Sequence, residues 1–337
     1  MKPLTSTIYQ VAARAGVSTA TVSRTLRGTA PVASETRERV LAAVDELRFT
    51  PSRPARSLAE GLHAANGIVF PELSGPYFAE VILAYEDTAA ELGRSVLILS
   101  THGGEAGPAQ FADLAARVDG IVVLGPTVSD TVLHNLADSG KPLVLMARES
   151  VDWADSVNAE NDDSAQALAS HLVAGHGYRS FAFLGDVDGS CDVLERWRGF
   201  RRALNVHGVE GPAQAVSCPL SEEGGRTAAL RLLAEGPPRA LVCANDEIAL
   251  GATLAAEELG LRIPEDLAIT GWDDVMAARH SRPGLTTVRQ PMRELGGWAA
   301  RRLHERLAGD TSDPRHEVLP TQLVLRASCG PHPEENA

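Results

Sequence analysis

Apolar positions in the first fifty residues recur at helical spacing. Ile8, Val11, Ala12 and Ala15 share one helical face, and beyond the Ala15-Gly16 link Val17, Val22 and Leu26 continue it. Thr7 and Ser18 each stand where a helix N-cap belongs, with a side-chain oxygen ready for an orphan backbone N–H. The pattern predicts two short helices about a glycine turn. The outer face of the second is small, hydroxyl-bearing and basic, carrying Ser18, Thr19, Ala20, Thr21, Ser23 and Arg24. Such a face suits a helix lying in a major groove, and the pair reads as a helix-turn-helix. An ordinary helical hairpin with solvated polar faces has the same apolar spacing. Ser34 is expected to cap a third helix, Glu35 to Leu47, with Val40, Leu41, Val44 and Leu47 buried and Arg37, Arg39 and Arg48 exposed.

Next, Pro51, Pro54 and Gly61 bracket a possible helix of seven or eight residues. That length does not persist alone in water, because nucleation is costly. The segment is either a coupling element ordered by contact or a plain linker. From residue 66 the pattern changes. Strand-like runs Gly67–Phe70, Ser95–Leu99, Gly120–Leu124, Leu143–Met146, Phe181–Leu184, Ala240–Cys243 and Leu267–Thr270 alternate with helical stretches such as Ala79–Leu92, Ala165–Ala174, Glu247–Leu259 and Met292–Leu307. This rhythm predicts an α/β fold of doubly wound parallel sheets in two similar lobes. Ligands of such sheets sit at the carboxyl ends of the strands, so two facing lobes make a cleft.

Charge sharpens the division. The net charge is −13, yet residues 1–60 carry nine Lys/Arg against five Asp/Glu, leaving 22 basic and 39 acidic residues for the rest. A basic head on an acidic body directs attraction for phosphate to one end. No apolar run approaches the roughly eighteen residues of a membrane span, and the Met1-Lys2-Pro3-Leu4 start has no apolar signal-peptide core. Both point to a cytoplasmic protein with no membrane partner. The four cysteines lie far apart and the ten histidines are scattered, so neither a disulfide framework nor a metal site is expected, and no cofactor. No G-x-S-x-G, P-loop or helix-opening G-x-G-x-x-G is present, which argues against an enzyme.

Several stretches resemble the lactose-repressor (LacI/GalR) family of bacterial regulators. They include Val11-Ala12, Ala15-Gly16-Val17-Ser18, Thr21-Val22-Ser23-Arg24, Ala55-Arg56-Ser57-Leu58, Tyr77-Phe78, His176-Gly177-Tyr178, Arg196-Trp197-Arg198-Gly199-Phe200, Ala244-Asn245-Asp246, Gly271-Trp272-Asp273-Asp274 and Leu285-Thr286-Thr287-Val288-Arg289-Gln290. The resemblance covers residues 7–329 in family order. It implies a helix-turn-helix domain (1–50), a hinge helix (51–61) and a periplasmic-binding-protein-like core (62–337). The core would have one lobe of about 62–159 plus 290–318 and a second of about 160–289 plus 319–330. The chain would cross between lobes near 158–161, 287–291 and 317–321.

By the same resemblance, Thr19, Ala20 and Arg24 match positions that read base edges, Arg24 being able to bond guanine bidentately. Thr7, Tyr9, Ser18, Thr21 and Ser23 match phosphate-contacting or capping positions. Arg27 stands where the family usually has asparagine and could add a phosphate contact. Ala55 and Leu58 belong to the hinge, with Leu58 wedging into the minor groove at the operator centre. The implied function is a dimeric, operator-binding regulator, expected to repress carbohydrate genes under a mono- or disaccharide effector. The alternatives are a purine-type corepressor and, in a different class, a pure sugar-binding protein. The tail Gly330–Ala337 has no heptad for a tail-mediated tetramer.

In the cleft, Asp273 and Asn245 follow strand-like runs, Arg196 opens a helix after Phe181–Leu184, and Tyr77 and Phe78 follow the first strand. An arginine fork and a carboxylate together suit neighbouring sugar hydroxyls, and an aromatic face stacks on a pyranose. The family positions matching Arg196, Asn245 and Asp273 contact the effector; Gln290 is a further candidate. Arg196 and Asp273 could instead pair with each other, and Tyr77 and Phe78 could be core. The aspartate many relatives have before Arg148 is Ala147 here, so Arg148 could take part instead. An aromatic common near residue 217 is replaced by Pro219-Leu220, and Trp153 could supply the missing stacking face or stand in a loop.

Overall fold

The computed structural model describes residues 6–27, 31–49, 63–102 and 104–331. The chain forms two compact units, Met1–Ala64 and Ala65–Ala337. In the first, α1 (Ile8–Ala15) opens on a capping box in which Thr7 accepts from the Gln10 backbone and Gln10 accepts from the Thr7 N–H at 2.8 Å. Gly16 ends it at φ 65°, and the Val17 N–H reaches back to the Ala12 carbonyl at 3.0 Å. This left-handed cap turns the chain sharply into the next helix. There Ser18 Oγ accepts from the Thr21 N–H at 3.1 Å, starting α2 (Thr19–Arg27). Ala33, with no side-chain bond, is the cap of α3 (Ser34–Glu46), so Ser34 lies inside the helix it was expected to cap. The core holds Val11, Ala12, Ala15, Val22, Val40 and Ala43. Leu41, expected inside, is exposed, and Ala43 lies in the core on the face that packs against the other helices.

The second unit contains a six-stranded parallel sheet, ordered β10-β5-β4-β3-β1-β2. Its strands are β1 (Ala65–Phe70), β2 (Ser95–Ser100), β3 (Gly120–Leu124), β4 (Leu143–Met146), β5 (Asp155–Ala159) and β10 (His316–Leu319). A second parallel sheet is formed by β6 (Phe181–Leu184), β7 (Ala240–Cys243) and β8 (Ala268–Thr270). Strand β9 (Thr287–Arg289) pairs antiparallel with β11 (Gln322–Val324). The chain therefore leaves the first sheet after β5, returns after β9, and leaves again after β10. Helices α4 (Pro76–Glu91) and α12 (Met292–Leu307) pack on each other and against the first sheet. In the second lobe α7 (Asp162–Ser170) packs on α8 (Cys191–Val206), and α9 (Glu222–Glu235) on α10 (Asp246–Glu258). The α9–α10 contact is backbone-close: a Cβ on Gly251 would stand 1.9 Å from the Glu222 carbonyl oxygen, so glycine is obligatory.

Polar sequence concealed β5. Asp155 is almost wholly buried and accepts from Arg302 Nε at 2.9 Å, Arg306 Nε at 2.6 Å and the Arg315 N–H at 2.8 Å. Two guanidiniums from α12 thus replace the water an aspartate requires. Alternation of apolar residues does not report a strand neutralised in this way.

Candidate ligand cleft and DNA-reading helix

Between the two lobes of the second unit lies a cavity of about 420 Å³, within the range of small-molecule sites. Each of its functional walls begins at a strand's carboxyl end. After β1, Gly75 and Pro76 start α4 and place Tyr77 and Phe78 against the cleft, their rings edge-to-face at 5.4 Å. After β6, Ser190 caps α8 by accepting from the Val193 N–H, and the helix carries Asp192 and Arg196 on one face. Arg196 lies in its second turn rather than opening it. After β7, Asn245 caps α10, its Oδ1 accepting from the Ile248 N–H at 2.8 Å and its Nδ2 donating to the Leu220 carbonyl at 3.1 Å. Asn245 is thus first a structural cap whose side chain also borders the cavity.

Arg196 is only 5% exposed. Its Nε donates to Asn161 Oδ1 at 2.8 Å, one terminal nitrogen donates to the Ala244 carbonyl at 2.7 Å, and Asp192 lies 3.7 Å away. The guanidinium stands 4.6 Å over the buried Trp272 ring. It makes no ion pair with Asp273, so the direct-pairing alternative does not hold. Asp273 instead accepts from Gln290 Nε2 at 2.6 Å, while the Gln290 Oε1 is buried with no hydrogen-bond partner. An unsatisfied acceptor at this wall is costly unless a ligand donates to it.

The Asp273-Asp274 turn is strained, with φ of 120° and 59°. Backbone bonds hold it, from the Asp273 N–H to the Val288 carbonyl at 2.8 Å and from Gln290 to the Asp273 carbonyl. Asp274 faces away from the cleft, where Arg289, Arg279 and Arg326 bind its carboxylate. Burial pushes its acidity down, but those guanidiniums outweigh burial and hold it below the usual carboxylate range. Asp273 goes the other way: burial pushes its pKa up to about 7, Glu247 and Asp192 add to that, and Arg196 and Gln290 offset part of it. Burial likewise raises Asp192, and it raises the Tyr77 hydroxyl together with Asp192 and Asp273.

Tyr77, Phe78, Arg196, Asn245, Asp273 and Gln290 all border the one cavity. Arg148 does not. Its guanidinium donates to the Gly125 carbonyl at 2.6 Å and the Val128 carbonyl at 3.0 Å and pairs with Asp130, tying down the loop after β3. Trp153 is also elsewhere, edge-on to His134 at 5.1 Å. Leu220, from the stretch lacking an aromatic, borders the cleft instead. Asp192 and Glu247 were not singled out from sequence, although the i,i+4 spacing of Asp192 and Arg196 was a usable signal.

On the first unit, Tyr9, Ser18, Ala20 and Arg24 are exposed, and Thr19, Thr21 and Ser23 are half-buried beside them. Thr7 is occupied in its capping box. The assignments of Ala55 and Leu58, and of the Arg27 side chain, lie outside the described residues.

Residues 7–52 match the model of bacterial regulatory proteins of the lacI family, and residues 169–329 match a periplasmic binding protein-like domain. The chain is 34% identical to the HTH-type transcriptional repressor PurR of Erwinia tasmaniensis, over 97% of this chain and 98% of that protein. The chain belongs to the lacI family. Among solved structures, the lac repressor dimer bound to operator and the anti-inducer ONPF superposes with a TM-score of 0.86 at 29% identity, covering 97% of this chain and 100% of that one. The transcriptional regulator CelR in complex with cellobiose superposes at 0.71 with 28% identity, covering 96% and 99%. This lacI-family chain is thus a DNA-binding transcriptional regulator rather than an enzyme. No helix among its described residues is long and apolar enough to cross a membrane.

Proposed function

We propose that this regulator represses transcription as a homodimer on a palindromic operator and is controlled by a neutral, hydroxyl-rich effector, a mono- or disaccharide, bound between the lobes. The observation that carries the proposal is the Arg196–Asp273–Gln290 wall. A donor fork stands beside a carboxylate acceptor and an unmatched amide oxygen. Vicinal hydroxyls both accept and donate, so they satisfy all three groups at once. Asp186, Asp192, Glu247, Glu105 and Asp273 face the same cavity against one arginine. That excess of negative charge disfavours sugar phosphates. The resemblance of the chain to PurR repressors, with the Tyr77-Phe78 pair available to a flat ring, supports a purine as the second reading.

Residues 1–50, the hinge 51–61 and the core 62–337 are the proposed working parts, with Thr7, Tyr9, Ser18, Thr19, Ala20, Thr21, Ser23, Arg24, Arg27, Ala55 and Leu58 at the DNA. For dimerisation, the edge strand β2 offers exposed Ile98, and the neighbouring α4 offers exposed Leu83. In the proposed mechanism the effector favours one arrangement of the lobes. A 100-fold preference would shift the equilibrium by about 2.7 kcal/mol.

Thermal shift against mono- and disaccharides, sugar phosphates and purines tests the effector class. A ligand at a hundred times its Kd stabilises by about 2.7 kcal/mol. A rise in Tm with a neutral sugar and none with its phosphate supports the proposal; a purine-only response replaces it with the second reading. Arg24→Ala is expected to weaken operator binding by about 1–3 kcal/mol and to relax preference at one base position. Fluorescence anisotropy with operator variants checks this, and unchanged base preference would remove Arg24 from the reading role.

Effector binding should also depend on pH. With its folded pKa raised to about 7, Asp273 contributes stability that is fully present below the unfolded carboxylate pKa. That contribution is lost as pH rises through about 7. Ligand donors favour the anion, so affinity should tighten as pH rises through about 7, with proton release on binding below it. Calorimetry in buffers of different ionisation heat measures that release, and Asp273→Asn should abolish it.

A further inference from the structure

We propose that His171, His176 and Cys329 form a binding site for a borderline-soft divalent cation of the zinc type. Sequence spacing conceals the site, because the cysteine lies over 150 residues from the histidines. Helix α7 ends in a π turn, His171–Gly175, and a turn widened in this way sets residues five apart on one side. The ring nitrogens His171 Nε2 and His176 Nε2 consequently lie 3.1 Å apart. Cys329 Sγ lies 3.7 Å from His171 Nε2, and the three candidate donor atoms fall within 4.8 Å of one another. Tetrahedral zinc, with about 2.0 Å to nitrogen and about 2.3 Å to sulfur, requires donor separations of roughly 3.4 Å and 3.6 Å. The spacings from His171 to His176 and to Cys329 are close to these values, and closing the wider gap between His176 and Cys329 would complete the set.

The surroundings hold these donors in position. The Tyr178 ring stacks on His176 at 5.3 Å and 17°, and its hydroxyl donates to the Cys329 carbonyl at 2.8 Å. Gly330, at φ 116°, lies so close that a Cβ there would stand 3.0 Å from His176 Nδ1. Thr286 Oγ1 lies 3.1 Å from the Cys329 sulfur. Such supporting contacts fix ring orientation and thiol direction around a metal. Two imidazoles and a thiolate select zinc-like or softer ions over magnesium or calcium. Three protein donors leave a fourth position for water. The cation would fasten the segment following β11 onto the second lobe.

The test is titration of EDTA-treated, full-length protein with Co²⁺. One equivalent should give a thiolate-to-cobalt charge-transfer band and tetrahedral d–d bands, both displaced by Zn²⁺, and Zn²⁺ should raise Tm. Cys329→Ser should lose the charge-transfer band while keeping the metal-free circular dichroism spectrum, and His176→Gln should weaken Co²⁺ binding at least tenfold. No band at stoichiometric Co²⁺, or a band unchanged in Cys329→Ser, overturns the proposal. Should Cys329→Ser fail to fold, undiminished Co²⁺ affinity in His176→Gln overturns it equally.

Discussion

Arg196→Ala is expected to lower effector affinity at least 100-fold, about 2.7 kcal/mol, and to lower the stability of the core as well. Both effects come from the same geometry. The guanidinium is the only cation bordering the cleft among the described residues, and each hydrogen bond it gives to a ligand is charge-assisted, worth about 1.5–3 kcal/mol. The side chain also supports the second lobe. Its loss leaves the Asn161 amide oxygen and the Ala244 carbonyl without a donor and Asp192 without its neighbouring cation. Each buried acceptor so abandoned costs about 1–3 kcal/mol. The proposed ligand contact is therefore only part of what Arg196 does. Gln290→Leu separates the effects, because it removes the unmatched Oε1 and one bond to Asp273 but leaves Arg196 and its supports intact. Calorimetric titration, alongside urea denaturation, checks both variants. Normal effector binding by folded Arg196→Ala would show that the ligand lies elsewhere.

Asp155→Ala should destabilise the core by about 3–5 kcal/mol, the usual result of stripping one partner from a buried ion network. Arg302, 2% exposed, and Arg306 would both lose their shared anion, and the Arg315 N–H would lose its acceptor. Replacing the pair together, as Asp155→Leu with Arg302→Met, should recover part of the loss, since the most deeply buried guanidinium is then removed with its anion and only the partly exposed Arg306 is left without one. Acidification gives an independent signature. Burial alone raises the Asp155 pKa, but its bonds from Arg306, the Arg315 backbone and Arg302 outweigh burial and depress it. A depressed carboxylate contributes stability above the unfolded pKa of about 3.9 and loses it as pH falls through the folded value. The wild-type urea midpoint should therefore fall more steeply below about pH 4 than that of Asp155→Ala. Parallel pH profiles would show that the network is not the source.

The helix-turn-helix and most strands were legible because their signals are local. Thr7, Gly16 and Ser18 act on backbone groups within a few residues, and apolar periodicity reports a buried face wherever the element ends up. The strand-end positions of Tyr77, Phe78, Arg196, Asn245 and Asp273 were legible for a related reason: the ends of parallel strands converge whatever the details of packing. By itself the sequence determined the order of elements, the basic head and the chemical types available to a cleft. Tertiary structure decided which groups meet. Arg148 was spent on the loop carbonyls of Gly125 and Val128, and Trp153 on His134, because nearer partners satisfied them. β5 was hidden because the guanidiniums that make Asp155 buriable arrive from about 150 residues away. His171, His176 and Cys329 come together only through a widened helical turn and the return of the chain after its last crossing. Hydrogen bonds and ion pairs depend on positions good to a fraction of an ångström, and no local pattern in the chain encodes distances between its remote parts.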